Sequence, residues 1–393
     1  MKRLKVAYIQ HRDADDIRNW SGTLYFSRAA IDRHVGRVVD LSPAPVNLLP
    51  FRAARRAILG LTGKVYSYDH DPALARYYGW YFGRLIERER PDLIFSPAGS
   101  PCLAYLRTDV PVLYFTDGPW RVIRDYNPAY SNVLERSARA AERLERRTLQ
   151  RAAVTLVSSR WAAESAVRDY GVDPGRVYDV GIGANLLRAP DRAEALPRRI
   201  GDRIRLLMVG VVWDAKGGGI AYDTLLRLLE RGCDAELTVV GCTAPPGVSH
   251  PRVRVIPFLN KQVPEERARF ERLWKEADFF VLPTRAEAAG VVFCEASAHG
   301  IPSIATHTGG VPSLVVDGRN GYTLPYDAGG EEYARVIAGI AAEPERYARL
   351  CETSREEYER RLNWDAWGER VAEIVAERFP QLRGRAPAEQ MIA

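Results

Sequence analysis

At 393 residues the chain is too long for one ordinary core and about right for two domains, taking roughly 150 residues per domain. Hydrophobic residues make up 46% and charged residues 27%, with a mean hydropathy of −0.26, which excludes a mostly disordered or fibrous protein. The net charge of +6 suggests a polyanionic partner, but the excess is local: residues 1–200 carry 32 Lys+Arg against 22 Asp+Glu, and the rest carry 24 against 28.

The apolar run Val6–Ile9 ends at Gln10, His11 and Arg12, too short for a signal-peptide core, and reads as a first strand. Further strands are predicted at Arg37–Leu41, Asp92–Ser96, Val110–Thr116, Ala153–Ser158 and Val177–Gly181, with helices at Pro72–Arg90 and Ser131–Arg151 between them. Strand and helix in alternation predict βαβ units and a parallel sheet. The charged, proline-containing stretch 184–203 reads as a linker. The pattern then restarts with Ile204–Gly210, Glu236–Gly241, Val253–Phe258, Phe279–Pro283 and Ser303–Thr306, separated by helices such as Ile220–Arg231 and Glu265–Glu276. The expected fold class is therefore α/β with two Rossmann-like, doubly wound parallel-sheet domains, 1–190 and 203–362, and a ligand cleft between them. A terminal segment, 363–393, with Asn363-Trp364-Asp365 leading into a last helix, completes the chain.

Five scattered cysteines without a C-x-x-C pair argue against a disulfide framework or zinc site and for a reducing cytoplasm. No run approaches the roughly 18 apolar residues of a spanning helix. Gly181-Ile182-Gly183 lacks the third glycine of a dinucleotide fingerprint, Gly63-Lys64 is not a Walker loop, and Gly99-Ser100-Pro101 is not a nucleophile elbow. The richest stretch begins after Phe279–Pro283. A loop carries Glu287, a helix runs from Val291 to His299, and Glu295 lies two turns into it. Eight positions place the two carboxylates roughly 10–12 Å apart, with the helix start offering unpaired N–H groups between them. On spacing alone, two solvated surface glutamates are the commoner reading.

The wider context is specific. Glu287-x7-Glu295 with Gly290 between, then Ala296-Ser297-Ala298-His299-Gly300, Gly309-Gly310 and Asp317-Gly318-x-Asn320-Gly321, resembles the donor site of retaining GT-B glycosyltransferases of family 4. Ser158-Ser159-Arg160-Trp161 and Leu207–Gly210 followed by Trp213 and Lys216-Gly217-Gly218 extend the likeness over most of the chain, and it implies that the helix of 363–393 returns to the first domain. The resemblance implies that Glu295 binds the ribose of a nucleotide sugar and that Glu287 faces the transferred hexose. It also implies that Lys216 contacts the diphosphate and that the backbone of Ala288, Ala289, Gly290 and Val291 holds sugar and phosphate. No cofactor or metal is implied, since a lysine and helix-terminal amides suit the charge on the leaving phosphate. Where many relatives carry an arginine, Val211 and Ala215 stand here, so the second cation at the diphosphate is unassigned.

In the first half, Gly22 in Asn19-Trp20-Ser21-Gly22-Thr23 is placed near the donor phosphates by resemblance, or else in a capping loop. Asp117, after Val110–Thr116, stands where many relatives carry a histidine and some an aspartate, so the resemblance makes it a candidate to touch the transferred sugar or the acceptor hydroxyl; otherwise it is a turn or helix-capping aspartate. Asp13-x-Asp15-Asp16 suggests a metal motif by composition, but its place after the first strand favours a solvated or acceptor-facing loop. The basic run Phe51–Leu61 suits a solvated helix face, an acceptor wall or an anionic membrane surface. The expected partners are a nucleotide sugar (UDP- or GDP-linked) and an acceptor sugar, lipid or small molecule, with no nucleic acid, and a cytoplasmic location with peripheral membrane contact. A nucleotide-sugar epimerase and a non-catalytic nucleotide-sugar-binding protein are the alternatives.

Overall fold

The computed structural model describes residues 3–382. It divides into two compact units, one made of the chain up to Gly181 together with the segment from Trp364 on, the other of Ile182–Asn363. Residues 383–393 of the expected terminal segment 363–393, and the first two of the expected domain 1–190, lie outside the described residues.

The first unit holds β1 (Leu4–Tyr8), β2 (Gly36–Asp40), β3 (Leu93–Pro97), β4 (Val112–Thr116), β5 (Val154–Val157) and β6 (Val177–Asp179). They pair in parallel in the order β2-β1-β3-β4-β5-β6. Numbering only helices of eight residues or more, it also holds α1 (Thr23–Ala30), α2 (Leu49–Thr62), α3 (Pro72–Glu89), α4 (Glu135–Arg151) and α5 (Arg160–Tyr170). Strands such as Leu93-Ile94-Phe95 are apolar without alternation because helices cover both faces; every residue of β3 is buried. Tyr78 and Phe82 of α3, Tyr114 of β4 and Tyr170 of α5 fill one side of the core.

The second unit holds β7 (Ile204–Val209), β8 (Ala235–Val240), β9 (Val253–Ile256), β10 (Phe279–Leu282), β11 (Ser303–Thr306) and β12 (Gly321–Leu324), ordered β12-β11-β10-β7-β8-β9 and all parallel. Counted from its own first strand this is the 3-2-1-4-5-6 order of dinucleotide-binding sheets, so the order reverses between β7 and β10. Its helices are α6 (Gly218–Glu230), α7 (Pro264–Glu276), α8 (Val291–Ala298), α9 (Gly330–Ala341) and α10 (Pro344–Arg361). The last helix, α11 (Trp364–Arg378), belongs to the first unit. There Trp367 is buried against Phe95 and Phe115, with ring centres 6.0 and 5.2 Å away.

Three expectations change. The strand β12 is absent from the strands predicted by sequence. The helix expected from Ser131 starts at Glu135, because Asn132 takes φ 56° and Val133 bridges to Val65. The stretch 184–203 is packed chain of the second unit rather than a bare linker. Within it Arg192–Ala195 is helical, the Glu194 carboxylate accepts from Asp191 N at 3.0 Å, and Arg192 pairs with Glu352 and Glu359 of α10.

Candidate active site

Open parallel sheets bind ligands beyond the carboxyl ends of their strands, where the strand order reverses. In the second unit that point lies between the loops following β7 and β10, and the two are stitched together. Arg285 N donates to Ala215 O at 2.8 Å, and Thr284 Oγ1 donates to the same carbonyl at 3.1 Å. The β7 loop closes as a turn, with Lys216 N donating to Val212 O and Gly218 N to Trp213 O. Gly217 permits the approach: its φ is +72°, and a Cβ there would lie 1.9 Å from Pro283 O. Trp213 is packed over Gly218 and is 8% exposed, so it is part of the scaffold.

These loops bring Lys216 and Glu287 into an ion pair across the point of reversal. Glu287 O in turn accepts from Gly310 N at 3.1 Å, which ties the double-glycine loop after β11 to the site. Gly290, at φ +82°, starts α8 without a side-chain cap, and a Cβ on it would meet Phe293 and Glu287 Cγ within 2.9 Å. Phe293 N turns back to Gly290 O at 3.0 Å, the two amides before it have no preceding helical carbonyl to bind, and the side chains of Ala288 and Ala289 are buried, so backbone is what this segment offers a ligand, with Val291 at its helical end.

Glu295 is fully buried, one Oε at 2.6 Å from Lys261 Nζ and the other without a hydrogen-bond partner among the described residues. Burial raises its pKa above the ordinary carboxylate value, and Lys261 opposes the rise. An unsatisfied buried carboxylate oxygen costs roughly 1–3 kcal/mol, a cost that a ligand hydroxyl would remove. Asn320 explains the Asp-Gly-x-Asn-Gly motif structurally. It is fully buried and donates to Ser297 Oγ at 3.2 Å and Leu314 O at 2.8 Å, fixing α8, while Asp317 accepts from Thr323 N at 2.7 Å.

In the first unit, the loop that carries Gly22 reaches Asp117 through Trp20. Trp20, at φ 46°, donates its indole N–H to Asp117 Oδ2 at 2.9 Å, Ser21 follows at φ 55°, and Gly22 begins α1. Two consecutive non-glycine residues in the left-handed region hold strain of the kind that marks functional loops. Asp13, Asp15 and Asp16 turn instead to Asp15 N, Arg28 and Arg18. At the ends of β1 and α3, Arg12 pairs with Asp69 at 2.7 Å between His11 and His70, both held neutral by burial with pKa values lowered to about 4.

Family comparison agrees with this construction in both halves. Residues 24–186 match the family described as Glycosyltransferase Family 4, and residues 203–343 match Glycosyl transferases group 1. The chain belongs to the group 1, family 4 glycosyltransferases. A curated relative, D-inositol 3-phosphate glycosyltransferase 2 of Catenulispora acidiphila, is 30% identical over 238 residues, covering 56% of this chain and 55% of its own. The chain thus spans about half the length of the curated relatives it matches. Among solved structures, sucrose-phosphate synthase of Thermosynechococcus elongatus superposes with a TM-score of 0.64 at 18% identity, covering 96% of this chain and 100% of its own. HepE of Anabaena, in complex with UDP, gives 0.62 at 16% identity with the same coverage. At these identities the likeness shows the fold, which is the GT-B class expected from the sequence.

Sequence reasoning missed Lys261 as a site residue, although it is one of only six lysines. It also missed the pairing of Trp20 with Asp117. Rarity was the one usable signal for the first; the second joins residues 97 positions apart.

Proposed function

We propose that this chain is a retaining glycosyltransferase that moves a hexose from a UDP- or GDP-sugar to an acceptor hydroxyl. The observation that carries it is the pair of glutamates flanking the uncapped start of α8, each matched by a lysine, at the reversal point of a sheet with dinucleotide-binding order. In this reading Glu295 accepts from the ribose hydroxyls, Glu287 orients the hexose, and Lys216 with the α8 amides stabilises charge on the departing β-phosphate. The bond from the anomeric carbon to phosphate oxygen breaks, the acceptor oxygen bonds on the same face, and the leaving phosphate takes the acceptor proton. Lys216 and the amides supply the positive charge, so the reaction proceeds without a metal. Asp117 and the Arg12–Asp69 pair, at the carboxyl edge of the first sheet, are assigned to the acceptor side.

The acceptor is a sugar, a lipid or a small polyol, with inositol phosphate suggested by the relative's name. Incubation with UDP- and GDP-hexoses and these acceptors, followed by proton NMR of the product, tests the reading. Transfer with unchanged anomeric configuration, insensitive to EDTA, is expected. An inverted product, or conversion of donor alone into an epimer, overturns it.

The same proposal places the protein in the cytoplasm, in peripheral contact with an anionic membrane surface through α2. This helix buries none of its residues, and Leu49, Leu59 and Leu61 are 68%, 45% and 86% exposed. Between Asp40 and Asp69 the sequence holds no acidic residue and four cations, Arg52, Arg55, Arg56 and Lys64. Exposed leucines interspersed with arginines suit a surface of anionic headgroups. No described helix is long and apolar enough to cross a membrane.

A further inference from the structure

We propose that Lys261 is a positioning residue for nucleotide binding, holding Glu295 so that its second carboxylate oxygen meets the ribose hydroxyls. The inference rests on the reading of Glu295 given above and adds a residue that neither motif nor family match assigns.

Lys261 lies in the loop between β9 and α7, 34 positions from Glu295. The loop is shaped locally: Gln262 N donates to Asn260 Oδ1 at 3.0 Å, and Val263 N donates to Asn260 O at 2.9 Å. The ammonium is held from two sides, by Glu295 at 2.6 Å and by the Phe270 ring, whose centre is 4.8 Å away. Its side chain is 29% exposed and that of Glu295 is 1% exposed, so a hydroxyl that reaches the carboxylate arrives beside the ammonium. A carboxylate removed from water keeps its charge only if a cation stays with it, and an ionised carboxylate is the better acceptor for a hydroxyl. Lys261 meets one oxygen and leaves the other unpartnered among the described residues, which is the arrangement a ribose needs. His299, one turn along α8, is stacked on Trp274 and held neutral, with its pKa lowered to about 4, so it does not compete as a cation.

The test is calorimetric titration of the full chain with UDP and with 2′-deoxy-UDP, with GDP and its 2′-deoxy form in parallel. The proteins are wild type, Lys261→Met, Lys261→Arg, Glu295→Gln and the Lys261→Met/Glu295→Gln double variant. Lys261→Met is expected to weaken the ribonucleotide about tenfold and to bring its preference over the deoxy form to within about twofold. Lys261→Arg should retain most of both, and the double variant should bind no more weakly than Glu295→Gln alone. The proposal is overturned if Lys261→Met binds like wild type, or if it weakens both nucleotides equally and adds in full to Glu295→Gln. If Glu295→Gln itself binds like wild type, the ribose assignment fails and the role of Lys261 fails with it; a silent Glu295→Gln distinguishes that case.

Discussion

The β7 and β10 loops of the candidate site meet through single residues whose replacement is predictable. Gly217 sits at φ +72° with no room for a Cβ against Pro283 O. Gly217→Ala should force the β7 and β10 loops apart and cost at least about 2 kcal/mol, seen as a drop of several degrees in thermal melts. An unchanged melt would contradict the geometry. His299 carries a pH signature. Buried against Trp274, with Nδ1 at 2.9 Å from Glu295 O, it titrates at about 4 when folded. An unfolded histidine titrates near 6.5, so the unfolded chain gains a proton there that the folded chain refuses, and the stability tied to neutral His299 is lost as pH falls through that window. The stability advantage of wild type over His299→Gln should therefore shrink as buffer pH is lowered from 7.5 to 5; a constant or growing advantage would refute the burial argument. At this scale the sequence was only half legible. Glu287 and Glu295 stand in one local pattern that spacing exposes, whereas Lys261 reaches Glu295 and Trp20 reaches Asp117 through tertiary folding that no local spacing encodes.

Elements were more legible, because a strand covered on both faces must be apolar throughout and a helix between strands must show its own period. The exceptions have physical causes. β12 is four residues long and follows a tight turn, leaving too little alternation to read. The start of α4 is set by the bridge from Val133 to Val65, a long-range contact. The packed stretch after Ala184 did carry a local cue, since Asp191 followed three residues on by Glu194 is a helix-start pattern. α2 makes the strongest prediction at this level. In co-sedimentation with vesicles, the protein should bind phosphatidylcholine containing phosphatidylglycerol and not phosphatidylcholine alone, and Arg52→Glu/Arg56→Glu should lower the bound fraction several-fold. Equal binding of the double variant, or none by wild type, would remove the membrane from the account.

For the molecule as a whole, the excess of ten basic residues in the first half now has a place. Part of it lies on α2 and part pairs with local carboxylates such as Asp15, Asp16 and Asp69. The second unit, net acidic by sequence, gathers two lysines, two glutamates and a helix start at its candidate site. Two doubly wound sheets were legible from strand–helix alternation alone. The strand order of each, which decides where a ligand sits, was not, because order is fixed by crossovers rather than by any segment.

In the proposed function, α8 binds a nucleoside diphosphate sugar through Glu295 and works on its hexose through Glu287. Calorimetric titration of wild type, Glu295→Ala and Glu287→Ala with UDP and GDP, beside steady-state kinetics, tests it most directly. Glu295→Ala is expected to lose about 10- to 100-fold in nucleotide affinity while Glu287→Ala keeps its affinity and loses mainly kcat. Unchanged nucleotide affinity in Glu295→Ala would contradict it.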